Sequence, residues 1–144
     1  MFDVIIIGCG ITGASIAYEL SKYELKVGIL EALNDVGDAT SKANSGIVHA
    51  GFDAKPGSKK AFFNVNGAKM YPNLCEELDF PYKKNGAFVL SFSNDGHDTL
   101  NELLKRAKEN NVSGCSIISG DEIRKMGLMF QNRLWKDYML RILE

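Results

Sequence analysis

The sequence predicts an α/β fold, a parallel sheet with flanking helices, which passes into the start of a mixed α+β region. Two observations carry this. The first 31 residues read as strand, helix and strand, with glycines at the first crossover. Beyond residue 80, short β-rich runs enclose a stretch with apolar residues at helical spacing.

Asp3 to Ile7 is short, β-branched and unbroken, the pattern of a central strand buried on both faces. Ile11 to Lys22 opens with small residues and carries Ala14, Ile16, Ala17 and Leu20, which suits a helix packed tightly on a sheet. Lys26 to Leu30 is the second strand. From Ala32 to Asn44 the composition turns to Asn, Asp, Gly, Thr and Ser and predicts a loop. Pro56-Gly57 marks a turn before a helix over Ser58 to Leu78, with Ala61, Val65, Ala68 and Cys75 available to one face. Pro72 falls inside it, which predicts a kink or two shorter helices, because proline removes a hydrogen bond and clashes with the preceding turn. Gly86 to Phe92 is β-rich. Thr99 and Glu102 form a capping-box pattern for a helix presenting Leu100, Leu103, Leu104 and Ala107. Ser116 to Ile118 is a short strand, and Ser119 with Glu122 caps a last short helix ending near Met126. Internal repeats and low-complexity segments are not seen.

At 144 residues and 45% apolar composition, the chain can bury the core of about one ordinary domain. Seventeen basic residues against eighteen acidic ones give a formal charge of −1, which argues against a nucleic-acid partner. The chain opens on a strand-like run without the pattern of a cleaved leader, and no apolar stretch is long enough to span a bilayer, so the expectation is a cytoplasmic protein. Cys9, Cys75 and Cys115 are far apart and match no metal-ligand spacing; free thiols with a packing role are expected, and no metal.

The function-bearing pattern is Gly8-Cys9-Gly10-Ile11-Thr12-Gly13, a G-x-G-x-x-G between a strand and a helix. In that context Gly8 permits the turn, Gly10 lets backbone approach a pyrophosphate, and Gly13 lets the helix lie close on the strand. The helix N-terminus then offers unpaired N–H groups and partial positive charge to phosphates, with Ile11 and Thr12 in its first turn. Glu31 ends the second strand, where an acid accepts hydrogen bonds from ribose hydroxyls and disfavours a 2′-phosphate. The adenosine expected is that of FAD or NAD, not NADP. The segment Thr40 to Gly51, rich in hydroxyl-bearing and small residues, arrives where a plain NAD domain would continue into another crossover helix. It suits a loop that wraps an extended ligand, favouring FAD.

With these residues in place, GCGITGASIAYELSKYELKVGILE followed by TSKANSGIVHAGFDAKPGSKKA resembles the FAD-dependent oxidoreductases of the D-amino-acid oxidase superfamily. Within it the pattern is similar to the bacterial glycerol-3-phosphate dehydrogenase and L-2-hydroxyglutarate oxidase groups, over Met1 to about Met126. The resemblance implies a Rossmann-like FAD-binding domain, of which residues 1–80 are the N-terminal part, and a substrate or cap region beginning at 81–126. It implies that Gly8, Gly10 and Gly13 hold the pyrophosphate and Glu31 the ribose. Thr40, Ser41, Asn44, Ser45 and Gly46 would line the phosphate and flavin side, and His49 would lie close to the flavin ring; a loop histidine satisfied by its neighbours is the alternative for His49. Relatives usually build the helix around Pro72 without a proline.

The activity implied is hydride removal from a hydroxyl-bearing carbon of a small molecule, foremost sn-glycerol 3-phosphate, with L-2-hydroxyglutarate, another 2-hydroxy acid or an amino acid as the alternative. The flavin would carry the redox chemistry. The resemblance assigns no catalytic base within these residues. An electron-acceptor partner or membrane association would come through parts of such enzymes not found in this segment. An inactive nucleotide-binding fragment is a further alternative; an NAD-dependent dehydrogenase fits the first strand-helix-strand unit but leaves Thr40 to Gly51 unexplained.

The resemblance stops after Lys125-Met126, where relatives continue with a segment like EPNLS and a strand like GALYAP. If one nucleotide was lost just after the Met126 codon, residues 127–144 back-translate, with permitted codons, to EPNVSESTMEGLYAPNTG in the restored frame. The Trp135–Lys136 junction must then encode Glu and the Asp137–Tyr138 junction Leu. Residues 127–144 are therefore expected to be a frameshifted tail, not an evolved part of the fold. The competing expectation is a C-terminal helix with Leu128, Trp135, Met139 and Ile142 on one face, interrupted by Gln131 and Asn132.

Overall fold

A computed structural model describes residues 1–91, 94–126 and 138–142. The chain forms two compact units, Met1–Ile47 and Val48–Glu144.

The first unit holds β1 (Val4–Ile7), α1 (Ile11–Leu20) and β2 (Val27–Leu30). The strands pair in parallel, Val4 opposite Val27 and Ile7 opposite Leu30. Asp3 seals the start of the pair: its N–H donates to the Lys26 carbonyl (2.9 Å), and its Oδ2 accepts from the Lys26 N–H (2.8 Å). At the other end the Gly8 N–H donates to the Leu30 carbonyl (2.7 Å), so the glycine turn begins where the ladder stops. α1 ends at Ser21, whose N–H still reaches the Ala17 carbonyl (2.9 Å). The expected burial of β1 on both faces is corrected. Ile6 is buried, but Ile5 is 45% and Ile7 87% exposed, because this unit covers its two-stranded sheet with one helix.

The second unit opens with the loop 48–57, which turns at Gly57 (φ +73°) into α2 (Lys59–Glu77). Ser58 caps this helix, its side chain accepting from the Ala61 N–H (3.1 Å). Ala61 and Val65 are its buried residues. Of the kink or two shorter helices expected at Pro72, the two shorter helices are not found; α2 is continuous through it, one missing N–H being a small part of a 19-residue ladder. Then follow β3 (Ala87–Leu90), α3 (Asn94–Glu109), β4 (Ser116–Ser119), α4 (Gly120–Lys125) and β5 (Tyr138–Ile142). The start of α3 is a second correction: Thr99 lies inside the helix. No proline interrupts residues 94–98, and the glycine there costs only about 1 kcal/mol relative to alanine. α3 ends as αL-prone asparagine allows: Asn111 sits at φ 58°, and the Val112 N–H returns to the Ala107 carbonyl (2.9 Å). α4 carries the expected capping box. The Ser119 N–H and Oγ both donate to Glu122 Oε2 at 2.8 Å, holding the Glu122 carboxyl below the usual carboxylate range.

β5 is central in an antiparallel sheet of order β3-β5-β4, with Val89 opposite Leu140 on one side and Ile117 opposite Leu140 on the other. Leu140 and Ile142 join Val65, Leu100, Ala107 and Val112 in the core, against which Leu103 and Leu104 also pack. Full burial of a side chain such as Leu100 or Leu140 stabilises by about 1.5–3 kcal/mol. For residues 138–142 the alternative expectation of a C-terminal helix is thereby corrected: they form a strand, because burial of Leu140 and Ile142 lets them bridge two strands that otherwise lack a ladder. Leu128 and Trp135 lie outside the described residues, as does Phe92.

Candidate nucleotide-binding site

The site is built within the first unit. Gly8 adopts φ +94°, a conformation L side chains rarely accept, and turns the chain out of β1. Gly13 is buried against that turn: a Cβ at this position would sit 2.0 Å from the Gly8 carbonyl oxygen. Its role is therefore close approach of helix to turn. Gly10 stands at the N-cap of α1 without a side-chain cap, and its Cβ position is 3.1 Å from Ser41 Oγ.

The loop after β2 folds back onto this turn. The Gly37 N–H donates to the Cys9 carbonyl (2.9 Å), and the Ile11 N–H donates to Ser41 Oγ (2.8 Å). The Ala14 N–H reaches the Gly10 carbonyl (2.9 Å) and begins the helical ladder. Between them, the Thr12 and Gly13 N–H groups have no acceptor among the described residues and remain for a ligand. Asn44 shapes the following turn: its Nδ2 donates to the Ser41 carbonyl, and its Oδ1 accepts from the Gly46 N–H (2.7 Å), with Gly46 at φ +63°. Thr40, Ser45 and Gly46 are exposed.

Glu31 is tied to the glycine turn. Its Oε2 accepts from the Cys9 N–H (2.7 Å), and its Oε1 from the Ala32 (2.8 Å) and Leu33 (3.0 Å) N–H groups. The backbone N–H of Leu33, then that of Cys9, holds this carboxyl below the usual carboxylate range. Three donors use three of about four acceptor directions of a carboxylate, leaving room for a ligand hydroxyl. Hydrogen bonds thus tie Glu31 to the glycine turn at Cys9 and Ser41 to the helix start at Ile11, with Thr12 and Gly13 next in the first turn of α1. His49 belongs to the second unit, exposed beside buried Ala50 and Gly51. The Cys9 backbone and Gly37 were not anticipated as site residues. Both act through main-chain atoms, and the only sequence signal for Gly37 was its lying in a polar loop.

A strand, glycine turn, helix and second strand ending in an acid bonded back to the turn define a nucleotide-binding α/β unit. Comparison with known proteins specifies which: a family profile described as FAD dependent oxidoreductase matches residues 3–134. The chain belongs to this FAD-dependent oxidoreductase family. It is 48% identical over 126 residues to a glycerol 3-phosphate dehydrogenase of Caloramator mitchellensis, covering 88% of this chain and 26% of that protein. It is 40% identical to a glycerol 3-phosphate oxidase of Mycoplasma genitalium, covering 76% of this chain and 29% of that one. An L-2-hydroxyglutarate dehydrogenase of Arabidopsis thaliana is 36% identical, with 86% and 26% covered. Among solved structures, an FAD-bound L-alpha-glycerophosphate oxidase from Mycoplasma pneumoniae superposes with a TM-score of 0.86 at 31% identity, over 99% of this chain and 38% of that one. The chain thus spans about a quarter to a third of the length of these curated relatives.

Proposed function

We propose that this chain is the N-terminal, FAD-holding part of a dehydrogenase or oxidase that removes a hydride from the hydroxyl-bearing carbon of sn-glycerol 3-phosphate. The observation that carries the cofactor half is the Glu31 carboxylate bonded to the Cys9 amide beside the unclaimed N–H groups of Thr12 and Gly13. A negative oxygen of a pyrophosphate meets donors and the positive end of α1, while a ribose hydroxyl meets an acceptor whose charge is kept at neutral pH. Gly8 and Gly10 keep side chains out of the approach. We assign Thr40, Ser41, Asn44, Ser45 and Gly46 to the phosphate and flavin side, and His49 to the neighbourhood of the flavin ring. Residues 1–80 belong on this reading to the FAD-binding domain, and residues 81–126 begin the substrate-facing region. When bound, FAD would supply the acceptor for the hydride that leaves the substrate carbon, while the hydroxyl proton passes to a base or to solvent, as the alcohol becomes a carbonyl.

The substrate half is supported by similarity to the 48% identical glycerol 3-phosphate dehydrogenase and the 40% identical glycerol 3-phosphate oxidase. The 36% identical relative supports L-2-hydroxyglutarate as the second reading. The test is anaerobic addition of each compound to the purified full-length flavoprotein. sn-Glycerol 3-phosphate is expected to bleach the flavin absorbance within a turnover and L-2-hydroxyglutarate to leave it intact. The reverse pattern refutes the substrate assignment.

A further inference from the structure

The loop that follows His49 is held by the end of one helix. Asn110, only 9% exposed, closes α3, and its Nδ2 donates to both the Gly51 carbonyl (2.9 Å) and the Ala54 carbonyl (2.8 Å). One turn earlier, Arg106 Nη1 donates to the Asp53 carbonyl (3.3 Å). Three of the four carbonyls from Gly51 to Ala54 therefore receive donors from α3 side chains. Asn110 has two N–H donors on Nδ2, and both are spent on this loop. The opposite side is closed. Gly51 is buried at φ +94°, and a Cβ there would lie 2.8 Å from Val65 Cγ2 on α2.

A helix cap needs none of this. The turn at Asn111 already ends α3 through backbone bonds, the Asn110 N–H reaching the Arg106 carbonyl at 2.8 Å. The Asn110 side chain instead serves a segment 56 and 59 residues earlier, satisfying carbonyls that burial would otherwise leave without partners. With Ala50 and Gly51 clamped between α3 and α2, the peptide leaving His49 has a set direction, so the imidazole is presented from a rigid support although it is itself exposed.

We propose that Asn110, reinforced by Arg106, is a positioning residue for His49: the two carbonyl bonds from its side-chain amide fix the loop that aims the imidazole at the reacting centre. This rests on the placement of His49 beside the flavin given above. The experiment is a double-mutant cycle in the full-length holoenzyme, with His49→Gln, Asn110→Asp and both together, reading flavin content, kcat and KM. Asn110→Asp keeps the shape but faces two carbonyls with an acceptor. It is expected to leave flavin content unchanged and to lower kcat about tenfold, the scale of a sub-ångström misplacement, with KM altered less than about twofold. In the His49→Gln background the same change is expected to cost less than about twofold more, because the group it aims is gone. Equal losses in both backgrounds would show that Asn110 merely holds the fold, and overturn the proposal. So would an unchanged kcat in the His49-containing enzyme. A His49→Gln enzyme with normal kcat would remove the placement of His49 itself, and the proposal with it. That outcome is told apart from the others by the single variant alone. Should Asn110→Asp not fold, Arg106→Met, which keeps the apolar stem, takes its place; a loss of about threefold confined to the His49 background supports the proposal, and an equal loss in both backgrounds, or none in either, overturns it.

Discussion

Replacing Gly13 by alanine adds one methyl group and tests how closely the helix must lie on the turn. The new Cβ would stand 2.0 Å from the Gly8 carbonyl oxygen, 3.1 Å from its carbon and 3.3 Å from Ile6 Cγ2. Real Cβ contacts do not fall below 3.0 Å, so α1 must retreat by about 1 Å (3.0 − 2.0), and backbone on both sides leaves no flexible side chain to give way. Overpacking of this kind costs about 1–3 kcal/mol, a large part of an ordinary stability of about 5–15 kcal/mol. Gly67→Ala supplies the control. It lies in α2 with nothing within 4 Å of its Cβ position, so alanine there is expected to stabilise by up to about 1 kcal/mol through helix propensity. The assay is urea denaturation of both variants in the full-length protein, followed by flavin titration. Opposite shifts of the midpoint are expected, with weakened flavin binding for Gly13→Ala alone. A Gly13→Ala protein with native midpoint and native flavin affinity would refute this expectation.

Glu31 has a folded-state pKa below its unfolded one, so its contribution is present above the unfolded value and lost as pH falls through the folded value. Flavin retention should therefore decline on the acid side of the usual glutamate range, and Glu31→Gln should weaken binding at neutral pH and flatten that decline; an acid profile identical to wild type would count against the role. Gly51→Ala combines a φ of +94° with a 2.8 Å contact to Val65, and is expected to destabilise by about 1–3 kcal/mol in thermal or urea unfolding. An unchanged transition would exclude that geometry. For residues 127–144 we propose a shifted reading frame. Resequencing the locus is expected to show one further nucleotide just after the Met126 codon and a flavoprotein reading downstream; an unaltered locus rejects the shift.

The first unit was legible because local chemistry decides it. A β-branched run, a glycine turn that only glycines can make and a second run ending in Glu31 place β1, α1 and β2 within two residues of where they stand. The Ser119–Glu122 cap was legible for the same reason. What the sequence hid depends on distant pairing. Tyr138–Ile142 becomes a strand because Ala87–Leu90 and Ser116–Ser119 flank it, and neither is near in the chain. Asn110 offers no pattern at all, since the carbonyls it serves lie more than fifty residues earlier. The helix stays continuous across Pro72 because one lost N–H leaves most of its ladder intact. The exposure of Ile7 and Leu30, 87% and 60%, shows that a strand's apolar letters report its eventual environment and not the cover supplied by one helix.

The central claim is that this glycine turn holds FAD. Gly10→Val is the measurement: its Cβ would start 3.1 Å from Ser41 Oγ, and a branched side chain here would occupy the approach that this glycine keeps open for a pyrophosphate. The full-length wild type is predicted to purify yellow with bound flavin, and the Gly10→Val protein to purify folded and colourless. Equal flavin content in the two would contradict the assignment of the site.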